Sequence, residues 1–171
     1  MEFLEYEKAI AKHYDTLSVM SAPLISWDFY LQGLSKMKMS VADATQLKKL
    51  VYLNNWKTNW NFQEHLQNDT VIVVTDSKLK IVFASKNIVK MNGYSPKEVI
   101  GNSPKMFQGE QTNEKISKEI SEAVKNQKPF DKIILNYCKD GSLYKCHIKG
   151  YPIFDKKGEL INFIAFEKIA A

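Results

Sequence analysis

The side chains in this sequence that could do chemistry are few. Cys138 and Cys146 are the sole cysteines, and His13, His65 and His147 are the sole histidines. No Cys-x-x-Cys or His-Glu-x-x-His spacing occurs, so structural zinc is not expected. No Ser/His/Asp set, nucleophile elbow, phosphate loop or paired-carboxylate motif is present, which argues against an enzyme. All 24 basic residues are lysine, and arginine is absent. That excludes bidentate guanidinium clamps on phosphate, carboxylate or guanine, and excludes an arginine finger. The net charge of +5 is spread along the chain. A dispersed basic surface keeps a protein soluble, and no nucleic-acid partner is expected.

The 171 residues make one domain, or one domain with an extension, and a 44% hydrophobic content supplies a packed core. No run approaches the roughly 18 apolar residues of a membrane span. The opening residues Met1 to Lys8 are acidic and amphipathic, unlike a secretory signal. A cytoplasmic location without a membrane partner is the expectation, with both cysteines kept as thiols.

Phe3, Tyr6, Ile10, His13/Tyr14, Leu17 and Met20 form an apolar stripe at helical steps. Pro23 is expected to interrupt it. Trp27, Tyr30, Leu31 and Leu34 then mark a second helix, and Ser40 is read as the N-cap of a third carrying Ala44, Leu47, Leu50, Val51 and Leu53. Trp56, Trp60, Phe62 and Leu66 suggest one more helical turn. From residue 70 the pattern changes. Thr70 to Thr75 and Lys80 to Ser85 read as a strand pair. Short helices fit Asn87 to Met91 and Ser95 to Ile100, and Thr112 or Asn113 caps a longer helix with Ile116, Ile120 and Ala123/Val124 inward. Lys132 to Tyr137, Ser142 to Tyr151 and Leu160 to Lys168 are strands separated by turns at Asp140-Gly141 and Asp155 to Gly158. The order predicts an α+β fold, a five-stranded antiparallel sheet with short helices on one face.

Residues 69–168 resemble a PAS domain, in particular its flavin-binding LOV branch. The resemblance is carried by Val74-Thr75-Asp76, Ile81 to Ser85, Asn92 to Gly101, Phe107-Gln108-Gly109, Thr112, Leu135-Asn136-Tyr137, Lys139-Asp140-Gly141 and Asp155 to Leu160. It implies a PAS fold over 69–171, with 1–68 as an N-terminal helical cap. Photoactive members carry a cysteine in the loop Gly-x-x-Cys-x-x-x-Gln-Gly that bonds the excited flavin. Here that loop runs from Gly101 to Gly109 and Pro104 holds the cysteine position, so the photoadduct is excluded. The family's two phosphate-gripping arginines fall at Lys105 and Ser121. Of the residues that read the flavin's pyrimidine edge, Asn136 matches the first asparagine, the second is Cys146, and the strand-end glutamine is Glu167, with Gln108 retained. FMN is thus the alternative cofactor, with a weakened motif. Haem is not expected, because no histidine lies between Met91 and Tyr144 and His147 points outward by alternation from Cys146.

With Asn136 and Cys146 inward, alternation also turns Ile134, Cys138, Tyr144 and Ile148 inward, and Ile161, Phe163, Ala165 and Glu167 on the last strand. The candidate ligand-binding set is Val73, Thr75, Lys105, Phe107, Gln108, Ile120, Asn136, Cys146, Ile148 and Glu167. Two readings stay open: these residues line a mostly apolar pocket for a small organic ligand, or they fill the core. An inward Glu167 must find a donor or titrate upward. Cys138 and Cys146 are placed on a diagonal, about 7–8 Å apart and beyond disulfide range.

Ile133, Leu135, Tyr137, Ile164 and Phe166 fall on the other side of the sheet as a candidate interface. So apolar a patch needs cover, from residues 1–68 or from a second copy. The expected function is a non-catalytic sensory or interaction module, with a small-molecule ligand, an unidentified signalling protein and a homodimer as its partners.

Overall fold

The computed structural model describes residues 22–57 and 60–170, with side chains from residue 30 onward. Of the described residues, 36–57 and 60–170 belong to one compact unit and 22–35 to another. The stripe from Phe3 to Met20 lies outside the described residues.

Helix α1 runs over Ala22–Leu53 without interruption. The expected break at Pro23 falls at the edge of the described residues, since the stripe it would interrupt lies outside them; a proline in the first turn of α1 removes only an amide that has no helical partner. Nor does Ser40 start a helix. It is buried within α1, and its hydroxyl donates to the Met37 carbonyl at 2.9 Å. Helix α2, Phe62–Gln67, buries Phe62 and Leu66.

Strands β1 (Val71–Asp76) and β2 (Ile81–Ala84) are followed by helices α3 (Ile88–Asn92) and α4 (Pro96–Val99) and a 3-10 turn over Pro104–Phe107. Helix α5, Glu114–Lys125, is capped by Asn113, whose side chain accepts from the amides of Lys115 and Ile116. Thr112 does other work: its hydroxyl donates to the Leu135 carbonyl at 2.8 Å. Strands β3 (Phe130–Tyr137), β4 (Leu143–Phe154) and β5 (Leu160–Ile169) complete the chain. All pairs are antiparallel, in the order β2-β1-β5-β4-β3. Aspartates tie the connecting turns: Asp76 accepts from the Lys78 and Lys80 amides, and Asp155 from those of Lys157 and Glu159.

The sheet has two apolar faces, as its β-branched strands require. On one, Val71, Val73, Ile81, Ile134, Tyr144 and Cys146 pack with Ile88, Met91, Val99 and Phe107 from the helical segments. On the other, Ile72, Val74, Phe83, Ile153, Ile164 and Phe166 are buried by Ala44, Leu47, Trp56, Phe62 and Leu66. Residues 36–67 therefore act as a cap. Ile161 joins this capped cluster rather than the opposite face, a correction that follows the register shift beside it between Ile153 and Phe154.

Polar contacts fix the cap in place. Asp43 on α1, buried to 3% exposure, accepts from the Lys86 amide at 2.7 Å, and burial raises its carboxyl above the usual range. The Trp56 indole donates to Asn162 Oδ1 at 3.0 Å, and Asn162 Nδ2 donates to the Thr75 carbonyl at 2.9 Å. One buried amide thus links the cap to β1.

Candidate functional site

A cavity of about 250 Å³ lies between α5, the 3-10 turn and the sheet face opposite the cap. Its origin is visible in α5. Ile120 and Val124 point toward the sheet, yet the helix has no fully buried residue. Ile116 and Ile120 pack against the core at partial burial, and the Glu119–Lys132 ion pair at 2.5 Å ties the helix to β3.

Nine of the ten candidate ligand-binding residues line it: Val73, Thr75, Lys105, Phe107, Gln108, Ile120, Asn136, Ile148 and Glu167. Cys146 does not. It is fully buried in the core, and its Sγ lies 3.8 Å from Glu167 Oε2. Facing the helical side of a sheet does not guarantee reaching its cavity, because Cys146 pairs with Ile134 and Ile169 in a filled region. The separation of the cysteines also needs correction. Cys138 donates its amide to Ser142, which leaves four residues of β4, or roughly 13 Å, between it and Cys146.

The sequence reading missed Ser117, Lys125 and Phe130. Ser117 was findable, since it shares a helical face with Ile120 and Val124. Phe130 was not, because it lies across Gly150: a β-carbon there would sit 2.3 Å from the ring.

The polar groups are unevenly satisfied. Gln108 Oε1 accepts from the Ser117 hydroxyl at 2.9 Å. Thr75 Oγ1 and Asn136 Oδ1 are buried without a hydrogen-bond partner. Glu167, 6% exposed, has no cation within ion-pair distance among the described residues, and burial pushes its carboxyl up to about 7. Burial and the Glu167 charge together raise the Cys146 thiol far above its usual range, so it is inert at neutral pH.

Of the candidate interface residues, Ile164 and Phe166 lie under the cap. Ile133 is 50% exposed and Leu135 half-buried on the uncapped part of that face. Tyr137 departs from it: its ring packs against Gly109 and its hydroxyl accepts from the Gln111 amide at 3.0 Å. Edge position allows this, since no strand lies beyond β3 to hold the ring on the outer side. His147 is on the outer face, paired with Asp131 at 2.5 Å.

The residues fit the flavin set of the LOV branch only in part: Lys105, Gln108 and Asn136 line the cavity, and the remaining positions differ. Pro104 lines the cavity where the adduct cysteine would stand, and neither cysteine of this chain reaches it. Cys146 gives a thiol to Glu167 and does not line the cavity, and Glu167 presents a carboxyl in place of an amide. Ser121 lines the cavity where a second cation would grip a phosphate.

Comparison with known proteins supports the fold. The PAS domain family model matches residues 68–168. The chain is 42% identical over 88 residues to Protein TWIN LOV 1 of Arabidopsis thaliana, a match covering 51% of this chain and 22% of that protein. It is 37% identical over 87 residues to Phototropin-2 of Oryza sativa subsp. japonica, covering 51% of this chain and 10% of the relative. The match therefore spans under a quarter of either relative. Among solved structures, the light state of the LOV domain of the blue-light photoreceptor Aureochrome1 aligns with a TM-score of 0.57 at 25% identity, over 59% of this chain and 81% of that one. No described helix is long and apolar enough to cross a membrane. The chain belongs to the PAS domain family.

Proposed function

We propose that this PAS sensory module holds a small organic ligand between α5 and the sheet and passes its occupancy to the helical cap. The observation that carries the reading is the double use of β1 and β5. Thr75 lines the cavity while its own carbonyl accepts from Asn162, which in turn accepts from Trp56 of the cap. Phe163, Ala165 and Glu167 line the cavity from the strand whose alternate residues, Ile164 and Phe166, are buried under the cap. A ligand that shifts these strands changes both faces together. The module itself is non-catalytic, and its output is a changed contact with a signalling protein or a second copy, for which Ile133 and Leu135 offer the uncapped surface.

The test is hydrogen exchange on the full chain with a panel of cytoplasmic metabolites, each first screened for a raised thermal midpoint. A stabilising metabolite is expected to slow or speed exchange in residues 36–57. Stabilising compounds that leave exchange in that segment unchanged would refute the relay. Uptake of FMN with its yellow absorbance would replace this reading by a flavin-binding one.

A further inference from the structure

We infer that the cavity is built for a ligand head that donates hydrogen bonds and carries positive charge, such as an aryl amidinium, seated on Glu167. The inference rests on the ligand-binding reading above and names the chemistry of what binds.

The argument starts from the polar groups that the fold leaves uncompensated. Asn136 Oδ1 and Thr75 Oγ1, on residues 4% and 5% exposed, line the cavity and have no partner. A buried unsatisfied acceptor costs about 1–3 kcal/mol, so a ligand that supplies a donor recovers that loss. The third group is the Glu167 carboxyl, whose sole described side-chain partner is the Cys146 thiol, a weak donor at 3.8 Å. Its strand neighbours Val71 on β1 and Ile148 on β4 are apolar. The lysines of the lining, Lys105 on the 3-10 turn and Lys125 at the end of α5, are both solvent-exposed, and neither is within ion-pair distance of Glu167. Glu167 thus presents a latent negative charge to the cavity without a counter-ion, and Asn136 and Thr75 leave unsatisfied groups elsewhere along its wall. Most of the remaining wall is aliphatic or aromatic, with Phe107, Phe130 and Phe163 suited to a flat ring.

An amidinium satisfies this arrangement with planar N–H groups that pair with a carboxylate, and its aryl body fills the apolar volume. An anionic head would instead place like charge against Glu167. A neutral amide supplies donors without the charge-assisted gain.

The experiment is calorimetric titration of the full chain with three probes that share one ring: 2-naphthamidine, 2-naphthamide and 2-naphthoate. The amidine is expected to bind about tenfold more tightly than the amide, and the naphthoate more weakly still. Glu167→Gln is expected to bring amidine and amide within about threefold of each other, the residue's shape being kept while its charge is lost. Equal or tighter binding of the amide or naphthoate by the unaltered chain would overturn the inference and leave the cavity a ligand site. Persistence of the amidine preference in the variant would also overturn it. Failure of all three probes to bind would overturn the inference, while the ligand-binding reading stands or falls on the metabolite screen above.

Discussion

Replacing Glu167 by glutamine isolates the energetic consequence of placing a carboxyl at the cavity. Burial raises that carboxyl from 4.5 to about 7. The sign follows from proton counting. Between these two values the unfolded chain has released its proton and the folded chain has kept it, so folding stability falls as pH rises through the window and levels off above it. At ~1.4 kcal/mol per unit, the shift corresponds to about 3 kcal/mol lost between acid and neutral pH. Glutamine has the same shape and no ionisation, so the variant escapes this loss. Urea unfolding of both proteins at about pH 4 and about pH 8 measures it as a difference of differences, which cancels every other titrating group. The variant is expected to gain about 3 kcal/mol on the parent between the two conditions. A gap that stays constant within ~1 kcal/mol would show that Glu167 is solvated or paired in the folded state, and would remove the basis for reading it as an uncompensated acceptor.

The cap tether gives a second test. Trp56→Phe deletes the indole donor to Asn162, and a loss of about 1–3 kcal/mol is expected in urea unfolding; unchanged stability would mean that the bond is not made. Gly150→Ala places a β-carbon against the Phe130 ring and is expected to cost about 1–3 kcal/mol by overpacking, with a parent-like midpoint refuting the close approach. The two thiols are expected to react unequally with an aromatic disulfide reagent at neutral pH. Half-buried Cys138 titrates in the native protein and fully buried Cys146 only after unfolding. Rapid reaction of both would contradict the burial of Cys146.

Much of the sheet is legible in the sequence because its signals are local. Continuous β-branched runs such as Val71 to Thr75 and the aspartate-led turns at Asp76, Asp140 and Asp155 mark the strands and their hairpins. The boundaries of α1 are less so. A mid-helix serine is the same residue type as an N-cap, and only the burial of Ser40 and its bond back to the Met37 carbonyl distinguish the two. The cavity is the least legible feature. An amphipathic helix with Ile116, Ile120 and Val124 reads identically whether it rests on a filled core or beside a void, since the difference lies in contacts with residues distant in the chain, such as Lys132. The same limit explains Cys146: alternation gives its face, while its distance from the cavity depends on what Tyr144 and Ile134 fill beside it. The Trp56–Asn162 bond joins residues 106 positions apart and leaves no local signature.

The most direct test of the account is a fragment screen by amide and indole NMR on the full chain. It predicts that bound fragments move the Asn136 side-chain amide and the Ala165 and Gly150 backbone signals, and that the Asn162 side chain and Trp56 indole respond in the same titration. Fragments that perturb only surface residues, with Asn136 and Ala165 unmoved throughout, would contradict it.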